Sequence, residues 1–76
     1  MEVEKLELKI FKKLEDLKTF IKKNFNVEKV EEAEHEPGFK LDAELCFCDG
    51  EYDYSVYYMT GESGRVIVVE TSKQKY

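Results

Sequence analysis

Cys46 and Cys48 stand two residues apart in the segment Glu44-Leu45-Cys46-Phe47-Cys48. On a β-strand that spacing turns both thiols to one side, about 6.5–7 Å apart. Two thiols on one face are, by chemical type, a soft-metal or redox pair. The pair lacks the two-residue spacer of common zinc sites, no second cysteine pair accompanies it, and the single histidine is His35, near a turn. A disulfide inside one flat strand is strained. The expectation is therefore two small half-buried thiols, reduced, with no metal and no cofactor.

Carboxylates are the second candidate chemistry. Asp42, Glu44, Asp53 and Glu70 fall on one sheet face in the strand pattern derived below, with Glu44 and Asp53 as diagonal neighbours across a hairpin. Acid–base catalysis needs a concave, partly dry pocket to shift a carboxyl pKa, and an open sheet face supplies none. The four acids are expected to form a solvated acidic patch on a protein that is not an enzyme. Gly61-Glu62-Ser63-Gly64 has phosphate-loop residue types but joins two strands and feeds no helix. Tyrosines on a sheet can stack bases, but three of them, Tyr52, Tyr54 and Tyr58, belong to the core face and Tyr57 stands among acids. Direct nucleic-acid binding is not expected.

The elements that must position these groups follow from periodicity. Val3, Leu6, Ile10, Leu14, Leu17 and Ile21 recur at three- and four-residue steps, which predicts one amphipathic helix from Val3 to about Asn24. Glutamates crowd its start and lysines its end, and Asn24-Phe25-Asn26 can stop it in left-handed geometry. Val27–Glu36 reads as a charged edge strand, with a helix as the alternative. Phe39, Leu41, Ala43, Leu45 and Phe47 alternate with polar residues up to Asp49-Gly50, a hairpin signal. Taking Asp49-Gly50 as a two-residue loop pairs Cys48 with Glu51, Phe47 with Tyr52 and Leu45 with Tyr54. Phe39, Leu41, Leu45, Phe47, Tyr52, Tyr54, Val56 and Tyr58 then share the core face. A four-residue loop at Gly61–Gly64 puts Ile67 and Val69 on that face and leaves Val66 and Val68 on the other.

The fold class expected is α+β: one N-terminal helix on a four-stranded antiparallel meander, or three strands if 27–36 is helical. In the order of its elements this resembles the cystatin-like arrangement and small PepSY-type modules. The resemblance rests on no motif and brings no functional residue with it.

At 76 residues, with 42% hydrophobic and 13% aromatic residues, the chain has the core of one small domain. Its net charge of −5 argues against nonspecific attraction to nucleic acid or anionic membrane. No run is long and apolar enough to span a membrane, and Met1-Glu2-Val3-Glu4 lacks the character of a secretory signal. A cytoplasmic protein is expected, and abundant Lys and Glu with scarce Asn and Gln lean towards a thermophilic source. On the second sheet face Tyr57, Met59, Val66, Val68, Cys46 and Cys48 make an apolar island rimmed by the acidic patch. That composition suits a protein-interaction module, working as a homodimer through this face or the unpaired edge of the last strand. Val68→Lys is then expected to separate the dimer and spare the core. Two alternatives stand beside it. One is an acidic decoy of a basic nucleic-acid-binding protein, using Glu28, Glu31, Glu32, Glu34 and Glu36. The other is a metal- or redox-responsive protein acting through the two cysteines.

Overall fold

The computed structural model describes residues 2–34 and 43–75. The expected Pro37-Gly38 turn, and Phe39, Leu41, Asp42, His35 and Glu36, lie outside them.

The N-terminal third is not one helix. A 3₁₀ turn, Val3–Leu6, is followed by a two-residue strand β1, Ile10–Phe11, and only then by helix α1, Leu14–Phe25. Leu8 adopts φ 67, a left-handed conformation that breaks the helical path. Its N–H donates to the Val68 carbonyl at 2.7 Å, and the Val68 N–H donates to the Lys9 carbonyl at 3.0 Å. The open edge of the last strand thus competes successfully for these backbone groups. The helical spacing of Val3 and Leu6 is still used, because both are fully buried on the sheet. Helix α1 ends where expected. Asn26 takes φ 54, and the Val27 N–H reaches back to the Lys22 carbonyl, the 6→1 bond of a left-handed helix stop.

Strands β2 (Glu31–Glu34), β3 (Ala43–Cys48), β4 (Tyr52–Thr60) and β5 (Val66–Lys75) form a meander. With β1 added beside β5, the sheet has five antiparallel strands in the order β1-β5-β4-β3-β2. The strand reading of 27–36 holds for Glu31–Glu34. The four expected strands become five because the N-terminal segment pairs with the first residues of the β5 edge that was expected to be unpaired.

The β3–β4 register differs from the expected one by a two-residue slide. Phe47 lies opposite Tyr54, Leu45 opposite Val56 and Cys48 opposite Asp53. Gly50, at φ 94, is the first central residue of the turn and Glu51 the second, the glycine-first pattern of a II′ turn. Asp49 sits one place outside. Its Oδ1 accepts the N–H groups of Glu51 and Tyr52, each at 2.9 Å, and its Oδ2 accepts the Tyr54 hydroxyl at 2.9 Å. The aspartate acts as an acceptor anchoring the turn and not as a left-handed residue within it. Because side chains alternate with period two, a slide of two leaves every face assignment intact.

The β4–β5 connection does change a face. Thr60 pairs with Val66, and the Gly61 N–H donates to the Arg65 carbonyl, so the loop has five residues and not four. Val66 and Val68 therefore point into the core, 1% and 0% exposed. A bulge between Tyr57 and Tyr58 leaves Val69 without an opposite number, and pairing resumes at Tyr57 with Glu70.

One sheet face carries the core. Leu45, Phe47, Tyr54, Val56, Tyr58, Val66 and Val68 pack against Val3, Leu6, Leu17, Ile21 and Val27. Phe25 closes one end against Phe47 and Tyr54, with ring centroids 5.0 and 5.3 Å apart. At the other end Phe11 meets Phe20 edge-on.

Candidate functional site

The second sheet face has no helix over it among the described residues. The ladder puts Ile10, Ile67 and Met59 side by side across β1, β5 and β4, since Ile10 pairs with Ile67 and Ile67 with Met59. All three are exposed, at 61%, 38% and 43%. Val69, pushed out by the bulge, extends the row at 36%. Leu8 is 77% exposed and sits in the left-handed region, with its N–H bonded to the residue before Val69. These five are the exposed large hydrophobic residues of the described chain; Ile10, Ile67, Met59 and Val69 gather at one end of one face, and Leu8 adjoins them through its bond to Val68. Tyr57, half-buried, adjoins Met59 along β4. A left-handed aliphatic residue stores strain of about 1–2 kcal/mol, and here burial of its side chain does not offset it.

Further along the same face the ladder becomes polar. It carries Glu70 opposite Tyr57, Ser72 opposite Ser55, Asp53 opposite both Gln74 and Cys48, and Glu44 opposite Ala33. No lysine or arginine appears among the described strand residues of this face. The cations lie elsewhere: Lys18 of α1 bonds Glu32 at 3.3 Å on the helix side, Lys9 lies over Phe20, and Lys73 lies over Tyr52. Lys29, in the segment before β2, pairs with Glu31 at the rim at 3.0 Å.

Of the six interface residues expected from sequence, Tyr57, Met59, Cys46 and Cys48 lie on the open face, whereas Val66 and Val68 belong to the core. Ile67, Val69 and Ile10 take their place. Of the acidic patch, Glu44, Asp53 and Glu70 share the face and Asp42 lies outside the described residues. Glu44 and Asp53 are not diagonal neighbours. Glu44 faces Tyr57, while Asp53 faces Cys48, four residues further along β3, about 13 Å at strand spacing. The acids proposed for a decoy are split as well, because strand alternation puts Glu31 on the open face and Glu32 on the helix side against Lys18. The signal that could have found Ile67 and Ile10 was weak, since β5 is apolar on both faces and Ile10 fits a helical stripe.

Both cysteines are free thiols. Burial, then a hydrogen bond and charge from Glu44, push the Cys46 thiol above its ordinary value, opposed by a hydrogen bond from Ser55. That favours an unreactive thiol. Cys48 Sγ accepts the Gly50 N–H at 3.3 Å. No group of three or more His, Cys, Asp or Glu side chains suited to a metal occurs among the described residues. Both cysteines border a shallow cavity of about 690 Å³ between the Asn26–Lys29 segment and the β3–β4 hairpin, with Phe47 and Tyr54 among its walls. Its acids, Glu28, Glu31, Asp49 and Asp53, surround it with a single lysine, and Asp49 is already committed to the turn. No helix among the described residues is long and apolar enough to cross a membrane.

Comparison with protein-family models, curated proteins and solved structures gives no match.

Proposed function

We propose that this chain is a non-enzymatic protein-interaction module whose open sheet face is the docking surface. The observation that carries the reading is the in-register row Ile10–Ile67–Met59. Side chains of this kind on a domain of 76 residues keep apolar area in water, at roughly 25 cal/mol for each Å², and a contiguous row of them marks a contact surface more often than an ordinary one. The strained, exposed Leu8 at the end of the row supports the same reading, because strain without a packing return is characteristic of functional positions. The raised thiol of Cys46 weighs against a redox role.

The experiment is a comparison of tagged wild-type chain with Ile67→Lys, purified from cells that make it natively. A stoichiometric companion, lost in a variant that keeps its urea midpoint, supports the reading. Companions that are absent, or unchanged by the substitution, would sink it.

A further inference from the structure

We infer that the open face takes a cation-bearing amphipathic segment of a different polypeptide, its apolar side on Ile10, Ile67 and Met59 and its basic side towards Glu70 and Asp53. This rests on the interaction reading above and adds the chemistry of the partner. Along one face the apolar row gives way to acids, Glu70 beside it and Asp53 at the far end, and the described strands of that face hold no cation, although the whole chain has 12 lysines and arginines. Three cations near the sheet are engaged on its helix side, with Lys18 on Glu32, Lys9 on Phe20 and Lys73 on Tyr52, and Lys29, outside the strands, is already paired with Glu31 at the β2 border of the open face.

That segregation decides between occupants. A second copy of this chain would lay an apolar row on an apolar row but would bring Glu70 and Asp53 against an identical face whose described strands carry no lysine or arginine and whose bordering Lys29 is already on Glu31. Like charges across an interface oppose association and select against the wrong partner. A neutral apolar segment would leave the carboxylates beside it partly desolvated and unpaired. A segment with Leu- or Ile-type anchors on one side and Lys or Arg on the other satisfies both ends. An amphipathic helix of about 18 residues is roughly 27 Å long, commensurate with the principal extents of 34 × 24 × 19 Å.

The test is an NMR titration of the isotope-labelled chain with three synthetic helical peptides of that length. One has a Leu face and a Lys face, the second has Glu for every Lys, and the third keeps Lys but has Ser for every Leu. The Leu/Lys peptide is expected to shift the amides of Ile10, Tyr57, Met59, Ile67 and Glu70. It should bind at least about tenfold tighter than either relative, and weaken by about tenfold with Glu70→Lys combined with Asp53→Lys. Equal binding of the Leu/Glu peptide to the same residues overturns the basic-partner inference while leaving the interaction reading standing. So does a concentration-dependent dimer in sedimentation that Ile67→Lys disperses, since the occupant is then a second copy. No response on this face to any peptide, with a native companion that ignores Ile67→Lys, overturns both.

Discussion

Ile10 and Ile67 lie directly opposite each other on β1 and β5, both with exposed side chains, while their neighbours Phe11 and Val66 pair on the other face against the core. One short strand pairing therefore does two things. It satisfies the first part of the β5 backbone edge, Val66 to Val68, which would otherwise invite another strand, and it extends an apolar row across the open face. Adjacent positions on β5 consequently have opposite fates under the same substitution.

Val68→Lys places an ammonium in a site with no exposure, and is expected to lower stability by at least about 3 kcal/mol. Ile67→Lys, one residue away, is expected to change it by no more than about 0.5 kcal/mol. Urea denaturation of the two variants checks this, and the sequence-based expectation that Val68→Lys spares the core gives way to its reverse.

Leu8→Gly is expected to stabilise the free chain and weaken association. Relief of left-handed strain of about 1–2 kcal/mol outweighs the extra chain entropy of glycine, about 0.5–1 kcal/mol, because the side chain is mostly exposed. Thermal denaturation and the Leu/Lys peptide titration together read the two effects. A variant less stable than wild type would show that Leu8 packs.

Asp49 and Tyr54 make stability depend on pH at both extremes. The N–H groups of Tyr52 and Glu51, and then the Tyr54 hydroxyl, hold the Asp49 carboxyl below its ordinary 3.8. A carboxyl lowered on folding stabilises fully above its unfolded value and loses that contribution as pH falls through its folded one. The difference in urea midpoint between wild type and Asp49→Ala should stay constant near neutrality and close below pH 3.8. Burial, and then the bond to Asp49, push the Tyr54 phenol up from 10.0 to about 12. Its contribution is complete below 10.0 and disappears as pH rises to about 12. Absorbance titration of wild type against Tyr54→Phe should show loss of the component near 12.

The thiols should differ in reactivity. Iodoacetamide at pH 8 is expected to modify exposed Cys48 before Cys46, whose thiolate is disfavoured by burial and by Glu44. Glu44→Gln should speed modification of Cys46, as mass spectrometry of the two peptides would show.

Much of this arrangement is legible from residue types alone. The alternation from Leu45 to Phe47 and from Tyr54 to Tyr58 assigns the faces of β3 and β4 correctly even though the register slides, because the slide is by two. Asn26 stops its helix as its type suggests. Leu8 defeats the reading because its break is imposed by the β5 edge, a partner 60 residues away in sequence, and no local signal opposes the helical stripe. In β5, Val66, Ile67, Val68 and Val69 are equally apolar, so period two leaves its facing open. The loop of five residues and the bulge at Tyr57/Tyr58 decide it. The candidate site inherits that ambiguity, with Val66 and Val68 exchanged for Ile67 and Val69.

The most direct test of the open face as a docking surface is photo-crosslinking in cells that make the chain natively, with a benzophenone amino acid at position 67 and, as control, at Glu62 in the β4–β5 loop. One discrete adduct is expected from position 67 and none from position 62. Its sequenced peptide should come from a different protein and carry Lys or Arg beside apolar anchors. No adduct from position 67, or the same adducts from both positions, would contradict a docking role for this face.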